Sequence, residues 1–327
     1  MAGQHSQFAV GVDIGGTNMV AAVVSGQTGQ VHSRHTILTE PQRGPADGFA
    51  RLGDLIDHVC REAQVEPGNL AGIGVGCTSP IDPVQGTVNN PYTLPTWEDA
   101  PLMPYLAERF GLPWVLLNDA HVAALGEHWV GAGQGTRHML YITVGTGIGG
   151  GIIIDGRLHR GVGLLAAEVG HQVIDLHGPE CYCGARGCLE MLAAGPAIVH
   201  EAAACAEANG LLLALAEGDR DRITSRLVYE AARQGDATAR AILEQAGVYL
   251  GIGVGNLINV LAPEAVILGG GVMQGWDLIA PSMLRTIDSR NAMIPHEFIR
   301  IERAALGLNA GVTGAARAIF DHLAGKL

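Results

Sequence analysis

Apolar runs broken by glycine turns organise the first half of the chain. Residues 8–13 are rich in Val and Ile, the turn Gly15-Gly16-Thr17-Asn18 interrupts them, and residues 19–24 resume the run. This pattern predicts strand, tight turn, strand. Residues 31–38 supply a third strand. Apolar positions at 49, 52, 55, 56 and 59 fall on one stripe and predict a helix over 49–63. Residues 71–76 and 115–117 read as short buried strands, and 119–130 as a helix. At residue 139 the arrangement begins again: a strand over 139–144, the glycine run 145–151, a strand over 152–154 and a turn at Asp155-Gly156. Residues 176–188 read as a loop. Helical patterns cover 195–209 and 222–233, and Asp236 caps a long helix reaching Leu261. Gly247, Gly251 and Gly255 stand four apart on that helix and form a smooth stripe on which another element can pack. A strand over 265–268 runs into Gly269-Gly270-Gly271, and 310–323 predicts a terminal helix.

The repeated strand–glycine–strand unit suggests two related α/β lobes, which suits a length of 327 residues. Of these residues 48% are hydrophobic and 16% charged, and the formal net charge is −12. That balance argues against nucleic acid or an anionic membrane as partner. The most apolar long window, 248–272, holds Asn256, Asn259, Pro263 and Glu264, so it reads as buried core rather than a membrane span. No basic-plus-apolar leader is visible, and a cytoplasmic protein is expected. Of the 20 Lys and Arg residues, Lys326 is the sole lysine. A Walker-type phosphate loop, a protein-kinase strand lysine and a Schiff-base lysine are thereby excluded. Phosphate chemistry would have to use backbone N–H groups, a metal or Arg.

Gly145-Thr146-Gly147-Ile148-Gly149-Gly150 matches G-x-G-x-x-G, but a strand follows where a dinucleotide fold needs a helix. Both glycine turns still offer clustered N–H donors and a Thr hydroxyl, suited to phosphate oxygens. Ordinary hairpins are the plainer alternative. Asp13 adds a carboxylate able to hold Mg²⁺ directly or through water. Asp119 follows a buried strand and opens a helix, so it can serve as a general base or as a helix cap.

His171, Cys181, Cys183 and Cys188 fall within 18 residues and make a Cys₃His set suited to tetrahedral zinc. Four protein ligands close the coordination sphere, which makes the metal structural; reduced, unliganded thiols are the alternative. Glu168 and Glu190 flank the cluster, where they can act as hydroxyl acceptors or as ordinary surface carboxylates.

With these motifs assembled, the sequence resembles the ROK family of the sugar kinase/hexokinase/actin superfamily over essentially its whole length. The motifs are Asp13-Ile14-Gly15-Gly16-Thr17-Asn18, Asn118-Asp119-Ala120, the run 144–171 and the run 181–190. The resemblance implies an α/β, two-lobed actin/hexokinase-like (ribonuclease H-like) fold with an interlobe cleft and a structural zinc loop. It implies an N-terminal lobe of 1–117 plus 305–327 and a C-terminal lobe of 118–304. It implies an ATP-dependent hexose kinase, most like glucokinases, with Asp119 as the base. Asn118, Glu168, His171, Glu190, Asn90 and Ser79 would bind the sugar, His171 also serving zinc. Asp13, Gly15, Gly16, Thr17, Asn18, Thr146 and Gly147 would hold ATP with Mg²⁺, and Gly269, Gly270 and Gly271 would line the adenosine side. A homodimer or dimer of dimers is the family expectation. Three stretches depart from the family pattern: His121 after Asn118-Asp119-Ala120, Thr93 in Thr93-Leu94-Pro95-Thr96-Trp97, and the loop 77–82. They leave mannose, fructose, N-acetylglucosamine and N-acetylmannosamine open as substrates. A sugar-responsive repressor of the same family is disfavoured, because the first glycine turn begins too early to leave room for a DNA-binding module.

Overall fold

The computed structural model describes residues 7–206, 210–291 and 293–327. The strands are β1 (Phe8–Ile14), β2 (Asn18–Ser25), β3 (Val31–Leu38), β4 (Ile73–Cys77), β5 (Ile81–Asp82), β6 (Thr87–Val88) and β7 (Trp114–Asn118). They continue with β8 (Met139–Val144), β9 (Ile148–Ile154), β10 (Arg157–Leu158), β11 (Ala265–Gly269) and β12 (Arg300–Arg303). The helices are α1 (Pro45–Ala63), α2 (Leu102–Phe110), α3 (Asp119–Val130), α4 (Leu189–Ala193) and α5 (Gly195–Cys205). The rest are α6 (Leu211–Leu215), α7 (Ser225–Arg233), α8 (Ala237–Leu261), α9 (Trp276–Arg290) and α10 (Ala310–Leu323).

Two five-stranded sheets run in the orders β3-β2-β1-β4-β7 and β10-β9-β8-β11-β12. In the first, β1 pairs antiparallel with β2 and parallel with β4, and β4 pairs parallel with β7. The first sheet thus joins a glycine hairpin to parallel neighbours. Gly11 and Gly74 let helix α10 lie flush on the first sheet, since a Cβ at either would overlap the backbone of Val312 or Ala315. The Gly247/Gly251/Gly255 stripe works the same way on α8. Side chains there would meet Ile279, Met283, Thr286 or Asn291 of the α9 region. Helix α8 alone among the described residues is long and apolar enough to cross a membrane, and it packs on α4, α5, α7 and α9 as a core helix.

The chain divides into two compact units. Unit 1 comprises Met1–Tyr141, Gly151–Ala166 and Ala304–Leu327, and unit 2 comprises Ile142–Gly150 and Ala167–Arg303. Residues 118–141 and 151–166, expected with the C-terminal lobe, fall in unit 1, where α3 packs on α10 and β4. The second glycine turn is also shorter than expected. Only 145–147 turn, and 148–151 already belong to β9. The helix expected over 195–209 ends at Cys205, and its last three positions lie outside the described residues.

Candidate active site and metal centre

In unit 1 the parallel strands β1, β4 and β7 end side by side, with Ile14 opposite Cys77 and Cys77 opposite Asn118. Ligands of α/β sheets sit beyond such carboxyl ends. Asp13 and Asp119 stand here, each half-buried. Gly311 of α10 leaves room for the Asp13 carboxylate, which a Cβ there would strike. Burial pushes Asp13 up to about 7; the negative charge of Asp119 adds to this and the Arg34 guanidinium opposes it. Burial also raises Asp119 above the ordinary carboxylate range, against the N–H of Ala120 and the side chain of Asn118. Asp119 accepts that N–H at 2.8 Å.

Asn118 caps α3, its Oδ1 also accepting from Ala120 N at 2.8 Å, and its Nδ2 donates to Ser79 Oγ at 2.9 Å. Ser79 and Asn118 are therefore brought together. Asn90 differs from its expected role. It is fully buried, its Nδ2 donates to Thr78 and Thr93, and its Oδ1 accepts from Tyr92 N and Thr93 N. An amide with two hydrogens and two lone pairs has nothing left for a ligand, so Asn90 braces the loops.

The first glycine turn closes through Gly15 N donating to Asn18 O at 2.9 Å. Thr39 holds it from the side, its N donating to Thr17 O and its hydroxyl to Gly15 O. Neither Gly15 nor Gly16 has a positive φ, so backbone freedom is not why glycine stands there. A Cβ on Gly15 would have only Asn18 O at 3.6 Å for a neighbour. The missing side chain leaves the turn bare toward open space, which is what close approach by a phosphate needs. Thr17 and Asn18 are exposed.

In unit 2 the turn at Gly145–Gly147 closes through Gly145 N donating to Gly147 O at 2.8 Å. Nothing lies within 4 Å of a Cβ on Gly145, and Thr146 is exposed. Gly147 is different: its Cβ would collide with the carboxylate of Glu190. That carboxylate is 9% exposed and accepts from Ile148 N at 2.7 Å. Glu190 sits in the first turn of α4, two residues after Cys188 at its N-cap position. The cysteine loop and the glycine turn are thus joined by one carboxylate.

The ligand atoms of His171, Cys181, Cys183 and Cys188 lie within 4.8 Å of one another. Cys181 Sγ stands 3.5 Å from His171 Nδ1, and Cys183 Sγ 3.6 Å from Cys188 Sγ. Metal–ligand bonds of about 2.0–2.3 Å in a tetrahedron place ligand atoms about 3.5–3.8 Å apart, so the set fits zinc. The positive φ of Gly184 and Gly187 provides the loop's turns. His171 Nε2 faces away from the thiols, 3.3 Å from the hydroxyl of Tyr182. Sequence reasoning missed Tyr182, whose placement between two of the cysteines was the available signal. Its phenol is raised by burial, by its hydrogen bond to Glu190 and by nearby negative charge. Glu168 is exposed, at the N-terminal edge of the turn that carries His171.

At the end of β11, Gly269 is buried while Gly270 and Gly271 are exposed. Gly270 has φ of 90°, and a Cβ there would overlap Val144. Nearby, Arg226, Tyr229, Glu230, Arg233, Gln234 and Gln274 line a cavity of about 350 Å³. Glu127 was also missed. It is fully buried on α3 and accepts from Ala132 N, Ala305 N and Leu306 N. Nothing in the local pattern separates it from a solvated helix residue.

The chain is similar to known proteins over nearly its whole length. The model of the ROK family matches residues 9–321. A glucokinase of Halalkalibacterium halodurans is 35% identical over 93% of this chain and 92% of its own. The crystal structure of a ROK family glucokinase from Streptomyces griseus in complex with glucose and AMPPNP superposes with a TM-score of 0.79 at 34% identity. It covers 95% of this chain and 98% of that one. A xylose repressor of Caldicellulosiruptor bescii is 30% identical over 96% of this chain and 78% of its own.

Proposed function

The chain belongs to the ROK family, and from that premise we propose that it is an ATP-dependent hexose kinase acting on glucose. The supporting observation is Asp119, a half-buried carboxylate at the carboxyl end of a parallel strand, held by Asn118 and the first N–H groups of α3. Its raised proton affinity suits a base that takes the proton of the sugar hydroxyl as that oxygen attacks the γ-phosphorus of ATP. Catalysis of such an in-line transfer rests on positioning and charge neutralisation. Asn118 and Ser79 orient the sugar. Glu168, His171 and Glu190 supply further hydroxyl contacts. The turns at Gly15–Thr17 and Thr146–Gly147 accept the ATP phosphates, with Asn18 at the rim of the first. Gly269–Gly271 and the neighbouring cavity receive adenosine.

Asp13 would hold Mg²⁺, which when bound with ATP neutralises phosphate charge. His171 through Nδ1, with Cys181, Cys183 and Cys188, would hold a structural zinc that fixes the loop. The repressor relative favours a second reading, sugar binding without turnover. A coupled assay with ATP over a panel of hexoses and N-acetylhexosamines separates them: glucose turnover supports the kinase, and sugar binding without ADP release supports the other.

A further inference from the structure

Residues 159–167 lead into Glu168, and apolar burial does not hold them in place. Val162 is 90% exposed and Leu165 69%. The backbone is left-handed at Gly161, Gly163, Leu164 and Ala167, and the last two lack glycine's freedom. Side-chain-bearing residues stay in that conformation only where the surroundings over-determine it. Within the loop, Leu165 N donates to Val162 O and Ala166 N to Arg160 O, both at 3.1 Å. From outside, the imidazole of His121 on α3 reaches Ala166 O, with Nε2 at 3.0 Å. His121 is 2% exposed. A carbonyl can only accept, so Nε2 carries the proton. Nδ1 is buried without a partner. An orphaned buried nitrogen is unfavourable, and the histidine keeps one while committing its only hydrogen bond to this loop.

We propose that His121 is a positioning residue for sugar recognition: its Nε2–H anchors the loop 159–167 and so sets the backbone from which Glu168 projects. The proposal rests on the kinase reading, in which Glu168 meets a sugar hydroxyl. Side-chain reach distinguishes an anchor from mere filling. Glutamine extends an amide N–H toward the place of Nε2. Asparagine, one carbon shorter, reaches only the place of Nδ1.

The test compares wild type, H121Q, H121N and H121A by steady-state kinetics with glucose and ATP, and by hydrogen exchange across 160–168. H121A and H121N are expected to raise the KM for glucose at least about tenfold, leaving kcat and the KM for ATP within about threefold. Exchange in the loop should quicken in both. H121Q should restore both readouts. A folded H121A with wild-type glucose KM and wild-type exchange overturns the proposal, as does H121Q behaving like H121A. If H121A does not fold, the H121Q/H121N pair decides. Failure of the kinase reading is separate and shows in the wild type, as no turnover with any hexose; the exchange comparison then still decides whether His121 anchors the loop.

Discussion

The two glycine turns share an architecture but are braced by different means. The first, in unit 1, is held by Thr39 through its backbone N–H and hydroxyl. The second, in unit 2, is held by a buried carboxylate, Glu190, that stands two residues after Cys188 of the Cys₃His cluster. The first turn is therefore braced by the residue that follows β3, and its Gly16 packs against Thr93. The second depends on a loop that is too glycine-rich and too polar to be fixed by apolar burial, and that a metal can fix. The chemistry is divided as well: unit 1 crowds Asp13 and Asp119 together, whereas unit 2 places its carboxylates around the cysteine loop.

The largest expected effect lies on the unit 1 side. Asp119→Asn should keep the fold and sugar binding while lowering kcat by roughly 10²–10⁴-fold, the range of a lost general base. Measured kcat within tenfold of wild type would show that Asp119 is not the base. Next comes the asymmetry of the turns. Gly147→Ala must displace Glu190, whereas a methyl at Gly15 has space. Gly147→Ala should therefore lower thermal stability by about 1–3 kcal/mol, and Gly15→Ala should leave stability nearly unchanged while raising the KM for ATP. Equal melting temperatures for the two variants would erase the distinction.

Metal removal sharpens the same contrast. Strong chelation should release about one zinc per chain and speed hydrogen exchange at 145–148 and 181–190, while residues 14–18 stay as protected as before. Protein purified with no metal, showing the same protection, would break the link between cluster and turn. The smallest effect concerns pH. Asp13 has its proton affinity raised in the folded state to about 7, from 3.8 unfolded. Between those values the folded chain holds a proton that the unfolded chain has lost, so its contribution to stability falls as pH rises through about 7. Asp13→Asn should raise the melting temperature at pH 8 more than at pH 5, while removing activity. Identical shifts at both pH values would show that Asp13 is ionised without strain.

Strands, helices and their caps were largely legible, because each is written in a local period or in one residue. Asp236 caps the helix expected of it, the cap of α3 is Asn118 rather than Asp119, and the Gly247–Gly255 stripe packs as its spacing suggests. The Cys₃His cluster was legible because its ligands lie close in sequence. Asn90, Glu127 and His121 were not. Asn90 looked like a ligand-binding amide, yet its partners Thr78 and Thr93 consume it. Glu127 gave no sign, because its three donors come from a turn and from a segment 178 residues away.

The sequence by itself determined the class of chemistry. One lysine, two glycine turns bearing Thr, a carboxylate after a buried strand and a Cys₃His loop are each a matter of residue type and short-range spacing. Tertiary structure decided which of those groups are free to act. Whether a carboxylate or amide is a ligand or a brace depends on who fills its hydrogen bonds. Whether it is charged depends on how far water is kept away. Both are set by chain segments that meet only when the strands and helices pack.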